Sequence, residues 1–471
     1  MYTYQDFEDD VTHGGVALAI ESAINHHKSS IDYKIALDAD NYDKQQNTTI
    51  MQFVQKLYSN NGELNYDTTS SNNKLCSAFF RRLNKQRNTY LLGNGVQFIE
   101  TDVKDELGID FDTRLKEVGY YALIHGVSFM FWNVDHVHVY KLTEFVPLWD
   151  EETGALQAGI RYWQIDNNKP TYAVLYEIDG YSKYRKATKD KGGTGEFQEV
   201  IPKSAYRITY QKAEKDVEAE IVGEENYNEL PIIPVYASEL KQSTLIGMKA
   251  SIDAYDLVKS GFANDMTDCS EIYWLINNAG GMDDRDLAQF RDRLKRNHIA
   301  TVMDVDDTNI TPYTQEIPYQ ARKEFLDEIR SGIYEDFGGL DVHTISAGST
   351  NDHIEAGYQP MDEQADDYEY QIIDAIQKLL RLIGVEDTPT FKRNKISNQK
   401  EQTDMVIECA NYLDDETVLN HLPFLSSDEV QEIIERKDAE DYEQFDNTSN
   451  EENLDGSEGI LEDDGENIAV E

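Results

Sequence analysis

The chain has 471 residues, enough for about two to four domains. It carries 90 acidic and 43 basic residues, a formal charge of −47. That balance excludes a protein that coats DNA through basic side chains, because such binding needs cations to displace the counterions of the phosphates. Cys76, Cys269 and Cys409 lie far apart with no CxxC pair, so a disulfide framework is excluded and a reducing compartment fits.

The first residues, MYTYQDFEDD, are acidic and show no signal-peptide pattern. The most apolar run, Tyr120 to Trp132, is broken by His125, Gly126 and Ser128 and is too short to span a bilayer. No membrane partner is expected.

Residues 1 to about 60 are read as polar helices, with Val16, Leu18, Ile20, Ile24 and Ile31 as core contacts. From residue 72, Leu75, Phe79, Leu83 and Arg87 fall at steps of four, which predicts a helix. Gly93-Asn94-Gly95 then turns the chain into extended Val96-Gln97-Phe98. With no third glycine and no strand before it, this GxG is a turn rather than a phosphate loop. A helix from about Asp112 to Ile124 precedes the strand VSFMFW.

Residues 134–240 read as an antiparallel meander. Tyr172, Val174 and Tyr176 alternate, as do Tyr206, Ile208 and Tyr210, and Asp179-Gly180 and Gly192-Gly193 supply turns. Lys183, Arg185, Lys186, Lys189 and Lys191 make a basic hairpin, read as a solvated loop. His136 and His138 share one face of a strand beside Asp135. Zinc needs three converging ligands, and spacing offers no third, so no metal is expected there. LPIIPVYASE, from Leu230, closes the meander.

The longest periodic stretch follows, LIGMKASIDAYDLVKSGFANDMTDCSEIY. Leu245, Met248, Ile252, Tyr255, Val258, Phe262, Met266 and Cys269 form one helical stripe. Such a helix is about 40 Å long. Its other side carries Asp253, Asp256, Ser260, Asn264, Asp268 and Glu271. Residues 271–318 read as a small α/β insertion: a strand at Ile272–Ile276, a helix at Asp284–Arg296 and a strand at 298–303. The helix bears Arg285, Arg291, Arg293, Lys295 and Arg296, interleaved with Asp284, Asp286 and Asp292. A second long helix spans about Gln320 to Phe337 on Phe325, Ile329, Ile333 and Phe337, stopped by Gly338-Gly339. Residues 341–360 are small, polar and loop-like. A third helix runs from about Met361 to Ile383, capped by Gly384. Small helices follow, with capping boxes at Asn398/Glu401 and Ser426/Glu429. Beyond Asp441 there is no lysine or arginine, so residues 441–471 read as an acidic, disordered tail.

No GxxxxGK[ST], GxSxG or HExxH run is present, so none of these signatures of ATPases, serine hydrolases or zinc peptidases supports an enzyme. No cofactor is called for. Asp304, Asp306 and Asp307 could hold Mg²⁺ beside the basic helix, as a nuclease would, but an acid-rich loop is the simpler reading.

Taken in order, these pieces resemble the portal proteins of tailed bacteriophages, in the branch from long-tailed phages of Gram-positive hosts. The matching segments are FFRRLNKQRNTYLLGNGVQF, ALIHGVSFMFW, NELPIIPVYASE, LIGMKASIDAYDLVKSGFANDMTD, STNDHIEAGYQPMDEQADDYEYQI and FKRNKISNQKEQTDMVI. They cover most of residues 50–440. Where many relatives carry S-G-x-A-[LM], this chain has Ser349-Thr350-Asn351-Asp352-His353-Ile354.

The resemblance implies an α+β portal fold in a homo-oligomeric ring, typically of twelve subunits, at one capsid vertex of the virion. Double-stranded DNA is pumped through its axis by the terminase large subunit and later ejected. Head-completion, adaptor and tail proteins dock on the ring, and major capsid and scaffolding proteins surround it during assembly in the host cytoplasm. By this likeness residues 1–240 and 361–385 form the wing, 241–270 and 319–340 the stem, 271–318 the clip, 341–360 the tunnel loop and 386–440 a helical crown. Thr344, Ser346, Ser349, Thr350 and Asn351 of the loop would touch DNA, and the basic residues of the clip would form a patch on it. In a ring, Ile252, Tyr255, Phe262, Phe325, Ile329 and Ile333 would pack between subunits. Asp253, Asp256, Asp268 and Glu271 would then face the channel. Phosphates within a Debye length, roughly 8 Å, would be repelled and would slide rather than bind. A metal-dependent nuclease and a monomeric acidic docking scaffold are the rival readings.

Overall fold

Four short helices open the chain in the computed structural model: α1 (Tyr4–Gly14), α2 (Val16–Ser29), α3 (Ile31–Asp43) and α4 (Thr48–Gln52). The structure describes residues 2–58, 64–66, 71–100, 102–187, 195–210, 221–268, 273–276, 285, 310–313, 319–341, 351–395, 403, 406–422, 424–426, 429–434 and 436–437. Thr3 starts α1 with a capping box: its hydroxyl accepts from the Asp6 N–H while the Asp6 carboxylate accepts from the Thr3 N–H. Ser30 caps α3 with its side chain alone, accepting from the Tyr33 N–H.

Of the core contacts expected here, Ile20 and Ile24 are buried, but Leu18 is 55% exposed and Ile31 is 74% exposed. The stripe of α2 is Val16, Ile20 and Ile24 at steps of four, and Leu18 lies off it. Ile31 is the first helical residue after its cap and points into solvent.

A hairpin, β1 (Lys56–Tyr58) with β2 (Leu64–Tyr66), follows. Then come α5 (Phe79–Leu92), β3 (Val96–Gln97), α6 (Asp102–Leu107) and α7 (Phe111–His125). The turn at Gly93-Asn94-Gly95 is present, with the Val96 N–H donating to Asp112 Oδ1 at 3.0 Å. The predicted helix start at Leu75 is corrected: residues 71–78 belong to no helix or strand, and the helix begins at Phe79.

The sheets are antiparallel. β4 (Val127–Asn133) pairs with β5 (His136–Lys141) on one side and β13 (Ile232–Tyr236) on the other. β6 (Phe145–Trp149), β7 (Leu156–Trp163), β8 (Thr171–Glu177), β9 (Gly180–Lys186) and β10 (Phe197–Ser204) form a five-stranded meander in sequence order. β11 (Arg207–Tyr210) and β12 (Ile221–Glu225) form a separate hairpin. In the basic hairpin, Lys186 pairs with Glu21 at 2.5 Å, and Lys189 and Lys191 lie outside the described residues.

α8 (Leu245–Asp268) is followed by β14 (Tyr273–Ile276), β15 (Ile310–Tyr313) and α9 (Tyr319–Phe337). β14 and β15 pair antiparallel, from Tyr273↔Tyr313 to Ile276↔Ile310. α10 (Asn351–Ile383) is 33 residues long and contains Pro360. Here the expected loop over 341–360 is corrected: residues 351–360 are already helical. Pro360 and Gly357 disfavour helix locally, yet Tyr358, Met361, Ala365, Tyr368 and Ile372 bury one continuous stripe across the proline. That packing outweighs the hydrogen bond a proline removes. β16 (Thr390–Phe391) pairs back onto β3, and α11 (Asp415–His421) follows. The Ser426/Glu429 capping box is formed, whereas the Asn398/Glu401 pair lies outside the described residues.

Four buried clusters among the described residues hold these layers, the smallest made of Tyr90, Leu340, Tyr358, Met361 and Ala365. In the largest, α7 and α10 pack with the β4–β5–β13 sheet through Leu115, Val118, Phe129, Tyr140, Val235, Tyr368 and Ile376. A second packs α1 and α2 on the meander through Phe7, Ile20, Ile24, Ile160 and Leu175. The third joins Tyr42, Phe79, Phe80 and Leu83 to Leu245, Met248 and Ile252 of α8 and Ile333, Tyr334 and Phe337 of α9. Each such side chain contributes roughly 1.5–3 kcal/mol when fully buried, so the roots of both long helices are fixed in the body of the subunit.

Candidate functional site

α8 carries the acidic residues expected to face a channel, and its neighbours divide its polar face in two. Asp256, Ser260 and Asn264 are 0%, 2% and 5% exposed. They are covered by the extended segment before α5, which runs antiparallel to the helix. The N–H of Ser77 donates to Asp256 Oδ1 at 2.9 Å, that of Leu75 to Ser260 Oγ at 3.0 Å, and that of Asn73 to Asn264 Oδ1 at 2.6 Å. Every second residue of the segment meets every fourth of the helix. Asn47 Nδ2 donates to the other oxygen of Asp256. Burial is the largest influence on this carboxyl and holds its pKa above the ordinary value of 3.8, against the lowering effect of Asn47 and Ser77.

Asp253 lies one turn earlier and faces α3 and α4. It accepts from the Tyr42 hydroxyl and from Thr49 Oγ1 at 2.7 Å. Lys249 Nζ stands 3.5 Å from it, 3.1 Å from Asp38 and 2.7 Å from the Tyr42 hydroxyl. Burial works against charge on Lys249, but the bonds to Tyr42 and Asp38 outweigh it and its pKa is raised.

The expectation that Asp253 and Asp256 face a channel is therefore corrected. Both bind other parts of their own subunit. Asp268 is the last residue of α8, and Glu271 lies outside the described residues.

The expected subunit contacts divide in the same manner. Ile252 and Ile333 are 0% and 1% exposed within one subunit, so neither is available to a neighbour. Tyr255 and Ile329 pack on the same core, with the Tyr255 ring edge-on to Phe79 at 4.9 Å. Phe262 lies against Tyr319 at 5.8 Å, beside the Arg322–Asp265 ion pair that clamps α8 to α9. Phe325 is 48% exposed. Sequence periodicity could not separate these cases, because one stripe serves both helix pairing and docking on the body.

Acidic side chains do line an open surface, but on α9. Glu324, Glu328, Ser331 and Glu335 are exposed at steps of four, three and four. Gln320 donates to Glu324 at 3.1 Å and Ser331 to Glu335 at 3.4 Å along this line. The spacing is legible in the sequence, alongside the apolar stripe of Phe325, Ile329, Ile333 and Phe337.

Arg87 closes the far end of α9. It is buried and donates to the Phe337 carbonyl at 2.6 Å, with its guanidinium 4.0 Å from the Phe337 ring centre. Burial brings its pKa down to about 10, so it stays charged at the negative end of the helix dipole. Gly338 (φ 66°) takes the left-handed conformation that ends the helix, and Gly339 N–H returns to the Tyr334 carbonyl at 2.8 Å.

Of the predicted loop contacts, Thr344, Ser346, Ser349 and Thr350 lie outside the described residues, and Asn351 begins α10. Arg291, Arg293, Lys295 and Arg296 also lie outside them, as do Asp304, Asp306 and Asp307, while Arg285 is exposed.

The family described as "Phage portal protein, SPP1 Gp6-like" matches residues 37–443. The portal protein of Clostridium phage phiCD119 is 23% identical over 414 residues, covering 80% of this chain and 89% of that one. The portal protein of Bacillus phage SPP1 is 22% identical over 404 residues, covering 78% and 76%. Among solved structures, the neck of an empty GTA particle aligns with a TM-score of 0.39 at 8% identity, over 74% of this chain and 91% of that one. The family match spans both long helices, the sheets and α10, and on that basis the chain belongs to the SPP1 Gp6-like family of phage portal proteins.

Proposed function

We propose that copies of this portal protein, twelve by expectation, close into a ring at one capsid vertex and pass double-stranded DNA along the ring axis. The observation that carries this reading is the family match across residues 37–443. In this reading α8 and α9 are the stem, residues 271–318 the clip, 342–350 the remaining tunnel loop, and the N-terminal helices, sheets and α10 the wing. The clip would meet the terminase large subunit during packaging and the adaptor and tail proteins afterwards. Capsid and scaffolding proteins would surround the wing while the virion is built in the bacterial cytoplasm.

Glu324, Glu328 and Glu335 of α9, with the net charge of −47, would supply the repulsion. Carboxylates facing the axis would repel phosphate and keep the genome from adhering. Phe325 and Met266, 48% and 57% exposed, are apolar side chains left for a neighbouring stem.

Negative-stain imaging and native mass measurement of the purified protein test the reading. Rings of about a dozen subunits with a central hole support it. A stable monomer would overturn it, and DNA cleavage by that monomer with Mg²⁺ would favour a nuclease.

A further inference from the structure

We propose that His136 and His138 form a two-nitrogen site for a divalent transition-metal ion of the zinc or nickel kind. Both rings stand on the same face of β5, just after the tight turn from β4. Their Nε2 atoms are 3.1 Å apart. Two nitrogens bound to one ion at about 2.0–2.1 Å would be separated by about 2.9 Å at a right angle and about 3.4 Å at the tetrahedral angle. The observed spacing falls between these limits, so an ion fits with little movement of either ring.

The surroundings suit such an ion. Asp135 Oδ1 accepts from His136 Nδ1 at 2.6 Å, which leaves the His136 Nε2 lone pair facing His138. A carboxylate behind a ligating imidazole orients the ring and makes it a better donor. His138 stacks on Phe131, its partner across the β4–β5 pair, at 6.2 Å and 9°. Arg161 and Arg114 lie close enough to His138 to act on it electrostatically. Moving its proton from Nε2 to Nδ1 frees the second lone pair. Among the described residues no group of three or more His, Cys, Asp and Glu side chains could hold a metal. The chelate is therefore two-coordinate from protein, with water completing the shell, and Arg114 and Arg161 oppose the ion's charge. The affinity is accordingly modest. The side chain of His136 is 45% exposed, so the ion can enter from solvent.

The turn itself is built at a cost. Val134 has φ 66°, a conformation a β-branched residue rarely adopts, and its N–H is held by the Tyr227 hydroxyl at 3.2 Å.

Calorimetric titration of the full chain with zinc chloride and with nickel chloride, at neutral pH, tests the proposal. It does not depend on the ring reading. One site per chain is expected, lost in His136→Gln and in His138→Ala and weakened about tenfold in Asp135→Asn, as removal of a carboxylate behind a ligand does. His136→Gln alters an exposed side chain and keeps the fold, so its loss of binding cannot be ascribed to unfolding. Binding that persists unchanged in His136→Gln, or no stoichiometric binding to the unaltered chain, would overturn it.

Discussion

The Ser77 N–H donates to Asp256 Oδ1 at 2.9 Å, joining residues 179 apart in sequence. This bond makes Asp256 a structural residue of the subunit. Asp256→Ala leaves the N–H of Ser77 and the amide of Asn47 without their acceptor in a dry site, and should cost about 2–3 kcal/mol. Asp256→Asn should be tolerated, because Asn47 Oδ1 is buried without a partner and a turn of that amide lets it accept from the new side chain. Chemical denaturation of the three proteins checks the order. Equal loss in the Ala and Asn variants would show that the bond to Ser77 is not what matters.

The same carboxyl gives the protein a pH signature. Its pKa is raised in the folded chain, chiefly by burial. The fold therefore prefers the protonated form relative to the unfolded chain. That contribution is complete below the unfolded value of 3.8 and is lost as pH rises through the folded value. Melting curves of the unaltered protein and Asp256→Asn should thus diverge as pH rises from acid toward neutral, the Asn variant losing less. Parallel curves would place the titration elsewhere.

Arg87 links α5 to the end of α9. Arg87→Ala removes a charge-assisted bond to the Phe337 carbonyl and the contact with its ring, and should lower stability by about 2 kcal/mol or more. Limited proteolysis should then cut first near 338–341. A variant as stable and as resistant as the original would show that the glycines alone end the helix.

Gly119 and Tyr368 are tightly coupled. A Cβ at Gly119 would stand 2.1 Å from the Tyr368 hydroxyl and 2.9 Å from Leu92 Cδ1. Gly119→Ala should cost about 1–3 kcal/mol through overpacking. Tyr368→Phe loses its bond to Asn88 but clears the nearest atom, so the double variant should be more stable than the two single losses predict. Simple additivity would mean that the clash with Leu92 dominates.

Charge reversal separates structure from conduction. Asp253→Lys and Asp256→Lys should now disrupt folding before any effect on DNA can be read. Glu324→Lys with Glu328→Lys and Glu335→Lys changes only exposed positions, so rings should form while in vitro packaging slows. Packaging at the normal rate would remove the electrostatic part of the proposal.

Periodicity made much of the fold legible. α8 and α9 were visible from their apolar steps, β8 from alternation at Tyr172, Val174 and Tyr176, and the end of α9 from paired glycines. The start of α10 was not, because Pro360 is a strong local signal while the burial of Tyr358 is a tertiary fact. The fate of Asp256 was hidden for the same reason. A polar stripe looks identical whether water or backbone covers it, and the covering segment at 73–77 has no helical or strand pattern of its own. In α8 and α9, the sequence revealed which faces were apolar and polar, but not which partner each would meet.

The antiparallel run of bonds from Asn73, Leu75 and Ser77 to α8 also works as a vernier. Two extended residues advance about 6.6 Å and four helical ones about 6.0 Å, so each step loses about half an ångström of alignment. Few steps can be matched before the two scales fall out of phase. Between matches there is no intermediate setting, so α8 is held at one axial position and can slide only by a whole notch, slightly more than a helical turn.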